Sequence, residues 1–247
     1  MKNVAIITNI PAPYRVDFFD YLKKNYTDYQ FTIIYSSKNE DNRKWNVEQE
    51  KMENSVFLES KTIKVKRRYD NYYLHIPVGV SKALKRIQPD VVVGSEYNPT
   101  IIQALYYCKR KHIPFVSWTD GTLYSERNRN FIQRFLRRFV VANANAYISS
   151  STKSKEAQIH YGADEKKCHI SYLAVDVEKY IQKPKGMGNG KILCVGSLIE
   201  RKGIDLLFNA LALVNCEYSS KLTFDDIRGF LATCFFEGCN LDERFYM

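Results

Sequence analysis

The 247-residue sequence carries 37 Lys and Arg against 27 Asp and Glu, a formal net charge of +10, with 45% hydrophobic residues. A chain of this size buries an ample core as one large or two small domains, which excludes dependence on disulfide staples. The excess of positive charge favours anionic partners, namely nucleotide phosphates, acidic lipid headgroups or nucleic acid, without choosing among them.

Residues 1–8 lack the longer apolar core and cleavage site of a secretion signal, so 4–8 reads as a first strand. No apolar stretch is long enough to span a bilayer. Strand-like runs follow at 31–35, 91–94, 114–118 and 146–149, alternating with helical patterns at 16–24, 78–87, 100–111, 130–141 and 151–161. That alternation predicts βαβ units and a parallel sheet covered on both faces. The expected fold class is α/β, a Rossmann-like doubly wound domain over residues 1–181. Ser151 and Thr152 ahead of Glu156 predict a helix start, and Gly162 a stop. Residues 36–55 are polar and predict a long surface excursion. The stretch 182–190, Q-K-P-K-G-M-G-N-G, breaks any element it enters and predicts an interdomain linker. Residues 191–215 supply one further βα unit, and 216–247 form an atypical tail without a strand–helix repeat. The 6 cysteines are scattered and read as reduced, in a cytoplasmic setting. Cys234 and Cys239 have no second ligand pair, so no metal site is expected. His75, His112, His160 and His169 lack ligand spacing and predict surface or helix-end roles.

The most informative segment is 191–207, K-I-L-C-V-G-S-L-I-E-R-K-G-I-D-L-L: an apolar strand, a glycine turn, an Arg-Lys pair and a helix start. Unpaired N–H groups and the positive dipole end of a helix favour an anion there, and Arg201 and Lys202 add a planar fork of donors and a point charge. The chemistry suits a diphosphate. This segment resembles the donor-binding signature V-G-R-L-x-x-R-K-G of family 4 glycosyltransferases of the GT-B fold. Gly196, Leu198, Arg201, Lys202 and Gly203 match, whereas Ser197 replaces an Arg.

In open α/β sheets, ligands bind beyond the carboxyl ends of the strands. Those positions are polar here. After the first strand, P-A-P-Y-R places Tyr14 and Arg15 at a proline-stiffened turn that resembles the acceptor-side loop of a polysaccharide-building subset of the family. After 91–93 comes Glu96, either an acceptor of hydrogen bonds from sugar hydroxyls or the partner of a neighbouring Lys. After 114–118 come Asp120 and Gly121, where many family members have His-Gly beside the transferred sugar. Asp120 reads either as a sugar-proximal carboxylate that stabilises developing positive charge, or as an Asp-Gly turn former. The stretch 126–141 predicts a basic amphipathic helix with Arg127, Arg134 and Arg138 on one stripe, Phe131, Phe135 and Phe139 beside it, and Ile132, Leu136 and Val140 farther round. Its aliphatic side packs on the sheet; alternatively the Arg–Phe stripe rests on an acidic bilayer. A second basic-aromatic cluster comprises Lys64, Lys66, Arg67, Arg68, Tyr69, Tyr72 and Tyr73.

The resemblance implies a GT-B N-terminal acceptor domain followed by the first βα unit of a truncated second Rossmann-like domain, because the E-x7-E donor segment of the family has no match. It implies transfer of a sugar from a nucleotide-diphosphate sugar, with retention, in cell-surface polysaccharide biosynthesis. No cofactor or metal is expected beyond that co-substrate. Asp120 is the expected catalytic residue; Gly196, Arg201 and Lys202 hold the donor diphosphate; Tyr14, Arg15, Glu96, Gly121 and Arg127 bind the acceptor. Arg134, Arg138, Phe131 and Phe135 make membrane or lipid contact. Expected partners are a nucleotide sugar, a saccharide or lipid-pyrophosphate acceptor and an anionic membrane surface, with a peripheral location on the inner membrane face. No motif supports nucleic-acid binding. The rival reading is a non-catalytic acceptor- or membrane-binding module.

Overall fold

Val4, Ala5, Ile6 and Ile7 are all buried, the pattern of a strand covered on both faces. They lie in β1 (Lys2–Thr8), which pairs in parallel with β2 (Tyr29–Tyr35) on one side and β6 (Val91–Ser95) on the other. The computed structural model describes residues 1–38, 49–65, 72–179, 181, 194 and 202–218. The chain divides into two compact units, Met1–Val65 with Tyr73–Ile181, and Lys66–Tyr72 with Gln182–Met247.

In the first unit, β3 (Ser55–Phe57) continues the sheet beyond β2, while β7 (Phe115–Thr119), β8 (Ala146–Ser149) and β9 (Cys168–Ile170) continue it beyond β6. The result is a seven-stranded sheet of order β3-β2-β1-β6-β7-β8-β9, parallel at every junction. The direction of winding reverses between β1 and β6. Their carboxyl ends therefore diverge into loops on opposite sides and leave a crevice at the switch point.

Helices cover both faces. Phe19 of α1 (Pro13–Asn25) packs with Val4, Ile6, Ile33 and Trp118 on one face. On the other, α2 (Val80–Ile87), α3 (Pro99–Lys111) and α5 (Phe131–Asn143) contribute Leu84, Ile101, Leu105 and Val140, which pack on Ala5, Ile7 and Val92. A four-residue helix, α4 (Leu123–Glu126), precedes α5, and α6 (Thr152–His160) follows β8. Asn98, Asn130 and Ser151 cap α3, α5 and α6 with side-chain oxygens. Gly162, at φ +106°, stops α6 as expected.

Several expectations are corrected. Val78 ends β5 (Tyr72–Val78) rather than opening a helix, because Gly79 at φ +87° makes the turn and caps α2. With β4 (Glu59–Val65), β5 forms a separate two-stranded sheet that takes in Lys64, Tyr72 and Tyr73 of the basic-aromatic cluster, while Lys66, Arg67, Arg68 and Tyr69 lie outside the described residues. Within 36–55, residues 49–52 form a 3-10 turn and Ser55 opens β3; residues 39–48 lie outside the described ones. His75 is buried, not superficial, and its Nδ1 shares a hydrogen bond with Thr62 at 2.9 Å. Ile132 faces solvent at 65% exposure, since α5 instead turns Arg137, Val140 and Val141 inward.

In the second unit, α7 (Ile204–Tyr218) runs three residues past the expected end of the last βα unit. Gly203 enters it at φ +63° and Lys202 is exposed. Gly196, Arg201, the linker 182–190 and residues 219–247 lie outside the described residues, as does the expected strand 192–195 apart from the half-buried Cys194. No helix among the described residues is long and apolar enough to cross a membrane.

Gly94 lets α3 approach β6, for a Cβ there would stand 2.4 Å from the Phe115 ring and 3.0 Å from Ile101. Replacing Gly94 with Ala is expected to destabilise the first unit by about 1–3 kcal/mol, the usual cost of overpacking. Chemical denaturation followed by far-UV circular dichroism measures the shift.

Candidate active site

Ala12, Arg15, Val16 and Phe19 share the inward face of α1, so helical register carries a guanidinium into the core along with apolar neighbours. Arg15 is only 8% exposed. A buried cation is costly unless it is paired and hydrogen-bonded. Its Nη1 donates to Thr8 Oγ1 at the end of β1 and to Ser95 Oγ at the end of β6, each at 2.7 Å. The guanidinium lies 4.9 Å from the Trp118 ring centroid, and Nη2 stands 3.9 Å from the Asp120 carboxylate. Arg15 thus ties together the ends of β1, β6 and β7 at the switch point.

Two carboxyl groups meet above it. Glu96 leaves β6 at φ +71°, a left-handed conformation that costs a non-glycine residue about 1–3 kcal/mol and marks a geometry the surroundings enforce. Its N–H donates to the Trp118 carbonyl at 2.8 Å, while its carboxyl oxygen accepts from the Asp120 N–H at 3.3 Å and from Thr119 Oγ1 at 3.4 Å. Asp120 remains 42% exposed, and its carbonyl accepts from Ser154 Oγ in the first turn of α6. Gly121 donates its N–H to Thr119 Oγ1 at 3.0 Å. The Asn98 amide donates to the Asn9 side-chain oxygen at 2.6 Å and links the loops after β1 and β6.

Burial, and then the neighbouring Asp120, push Glu96 up to about 8, outweighing the opposing effect of Arg15. Near neutral pH, Glu96 is therefore largely protonated and able to donate toward Asp120. The sequence reading of Glu96 as the partner of a nearby Lys gives way, because its neighbours are Asp120, Thr119 and Arg15.

The structure brings Arg15, Glu96, Asp120 and Gly121 together. Tyr14 lines a small pocket with Arg15, Phe18, Trp118 and residues 171–174. Arg127 lies elsewhere, over the Tyr124 ring at 3.7 Å, on a groove that it shares with Arg134 and Arg138. Phe131 and Phe135 are exposed on α5. Sequence reasoning missed a second charged knot: Glu126, buried, pairs with Arg129 at 3.1 Å and with the buried Arg137, whose guanidinium lies 5.1 Å from the Tyr97 ring centroid. Its signal was an Arg in helical register with Val140 and Val141.

A family model described as Glycosyltransferase Family 4 matches residues 27–179, more than half of the chain. The chain belongs to glycosyltransferase family 4. No curated protein matches this family 4 chain by sequence. Among solved structures it is similar to Anabaena Alr3699/HepE in complex with UDP-glucose, at 16% identity and a TM-score of 0.58, over 86% of this chain and 58% of that one. It is also similar to a UDP-N-acetylglucosamine 2-epimerase at 12% identity and a TM-score of 0.56, over 88% and 61% of the two chains. S. aureus MnaA bound to UDP matches at 13% identity and a TM-score of 0.51, over 95% and 66%. At these identities the likeness establishes the GT-B type fold. The family 4 chain spans about three fifths to two thirds of the length of these structures.

In the unfolded chain Glu96 ionises near 4.5 and in the folded chain near 8, so across that window ionisation favours unfolding and stability falls as pH rises. Glu96→Gln, which mimics the protonated form, is expected to match the parent's thermal midpoint below pH 4.5 and to exceed it above pH 8. A pH series of paired melting curves tests this, and a constant difference at all pH values would contradict it.

Proposed function

We propose that this family 4 chain takes part in transferring a sugar from a nucleotide-diphosphate sugar to a saccharide or lipid-linked acceptor, with retention, in the building of a cell-surface polysaccharide. The observation that carries the reading is the Arg15–Asp120–Glu96 cluster at the carboxyl ends of β1, β6 and β7. That position is where open α/β sheets bind ligands. Support for the donor class comes from the fold, shared with proteins crystallised with UDP and UDP-glucose.

In this reading the sugar's anomeric C–O bond breaks with its electron pair leaving on the diphosphate, and the acceptor oxygen bonds the same carbon as its proton passes to the departing diphosphate oxygen. The Asp120 carboxylate faces the positive charge that develops there. Arg15 and protonated Glu96 hold that carboxylate in place before the reaction, so no reorganisation is needed at the moment of bond breaking. Glu96, already protonated near neutrality, is unsuited to take the acceptor's proton. Gly196, Arg201 and Lys202 would hold the departing diphosphate, and Tyr14 and Gly121 would line the acceptor side. A second reading, a non-catalytic acceptor- or membrane-binding module, draws on the lack of an E-x7-E match after Arg201 and Lys202 in this sequence.

Asp120→Asn is expected to lower sugar transfer on the order of 100-fold, the scale of losing one preorganised electrostatic contact, while UDP affinity stays unchanged. Release of UDP or GDP from a panel of UDP- and GDP-sugars, with calorimetric titration of UDP, measures both. Absence of turnover together with absence of nucleotide binding would leave the module.

A further inference from the structure

On the flank of the first unit, α4, α5 and α6 enclose a groove of about 340 Å³ lined by Glu126, Arg127, Arg134, Arg138, His160 and Tyr161, with Leu123 at its side. The charge balance of this groove is one-sided. Its single carboxylate, Glu126, is engaged by Arg129 and Arg137. Arg127, Arg134 and Arg138 have no carboxylate partner among the described residues: Arg127 lies over Tyr124, and Arg134 donates to the Arg127 carbonyl at 3.2 Å. Like-charged guanidiniums brought to one groove repel, and an anion relieves that repulsion while accepting their forked donors. Tyr161, its ring largely buried, lines the same groove and adds an O–H donor to its wall. His160, edge-on to Tyr161 at 5.3 Å between ring centroids, supplies a further ring N–H.

We propose that this groove binds a phosphoryl group with at least two ionised oxygens, separate from the Arg15–Asp120 crevice. Guanidinium forks match phosphate oxygens bidentately, whereas a single carboxylate would leave donors of the three arginines unused. The group arrives free or carried on a lipid. Exposed Leu123, Tyr124, Phe131 and Phe135 beside the groove give a lipid-borne group somewhere to lay its chain. The assignment rests on the transferase reading only in placing this charge on the acceptor side.

The test uses the full chain with inorganic pyrophosphate and with phosphatidylcholine vesicles containing or lacking phosphatidic acid, a phosphomonoester lipid. Because the segment at Arg201 and Lys202 is itself an expected diphosphate site, titrations are run in an Arg201→Gln/Lys202→Gln background. There, Arg134→Gln/Arg138→Gln is expected to weaken pyrophosphate or anionic-vesicle binding by about tenfold, the equivalent of one charge-assisted hydrogen bond. Loss confined to vesicles assigns a lipid-borne group, and loss confined to pyrophosphate a free one. Retention of both affinities overturns the inference. If the double variant does not fold, Arg138→Gln alone takes its place, and unaltered binding in that exposed single variant is equally fatal. With Arg201 and Lys202 intact, UDP binding is expected to survive the groove substitutions. Failure of every form to bind either UDP or GDP would sink the transferase reading and leave the groove result standing.

Discussion

A buried guanidinium sets the terms at the carboxyl edge of the sheet. Removing an arginine from water costs several kcal/mol unless hydrogen bonds and an opposite charge replace the solvent. Arg15 obtains both from the ends of separate strands: hydroxyls from Thr8 and Ser95, an indole face from Trp118 and a carboxylate from Asp120. These residues follow from strands that are not adjacent in sequence, so the charge locks the register of three loops at once. It also accounts for an edge of the sheet that is polar but buried, with Thr8, Ser95, Thr119 and Ser149 all shielded from solvent. Apolar side chains at those positions would bury more surface but leave the guanidinium without partners.

The opposite face of the sheet solves the same problem a second time. Arg137 enters from α5 and is met by Glu126 of α4 and by the Tyr97 ring. Tyr97 follows Glu96, and Glu126 packs beside Gly121, where an added Cβ would stand 3.4 Å from its carboxylate. The loops after β6 and β7 are consequently held between two charged knots, one delivered by α1 and one by α5. Such a double constraint explains how Glu96 is kept at a positive φ that its own side chain disfavours. The neighbouring carboxyl groups cannot move apart without unpairing an arginine.

Elements with a strong period were legible in the sequence. The strands at 4–8, 31–35, 91–94, 114–118 and 146–149 differ from β1, β2, β6, β7 and β8 by at most two residues at an end, because doubly covered parallel strands announce themselves as unbroken apolar runs. Ser151 caps α6 and Gly162 stops it by local chemistry, which needs no tertiary knowledge. What escaped was set by long-range pairing. Arg137 reads as one more charge in a basic helix until Glu126 is seen beneath it, and Ile132 reads as core until that arginine takes the inward position. The short strands β3 and β9 owe their existence to neighbours in the sheet, and β4 and β5 to each other. In the crevice, Arg15, Glu96 and Asp120 were legible as polar residues after strands. Their mutual contact was not, since nothing local tells a buried arginine from a solvated one.

The carboxylate at position 120 answers to the same electrostatics. An imidazole at this place would meet Arg15 at close range and add either a neutral donor or a second positive charge to a buried cation. A carboxylate neutralises that cation instead, but it brings a second acid within reach of Glu96, and two ionised carboxyls at such separation are disfavoured. The conflict is relieved by keeping the proton on the more buried member, so Glu96 rises to about 8 while Asp120 remains partly open to solvent. Burial therefore divides the roles. The inner acid acts as a hydrogen-bond donor that orients the outer one, and the outer carboxylate is left facing the crevice as its negative pole.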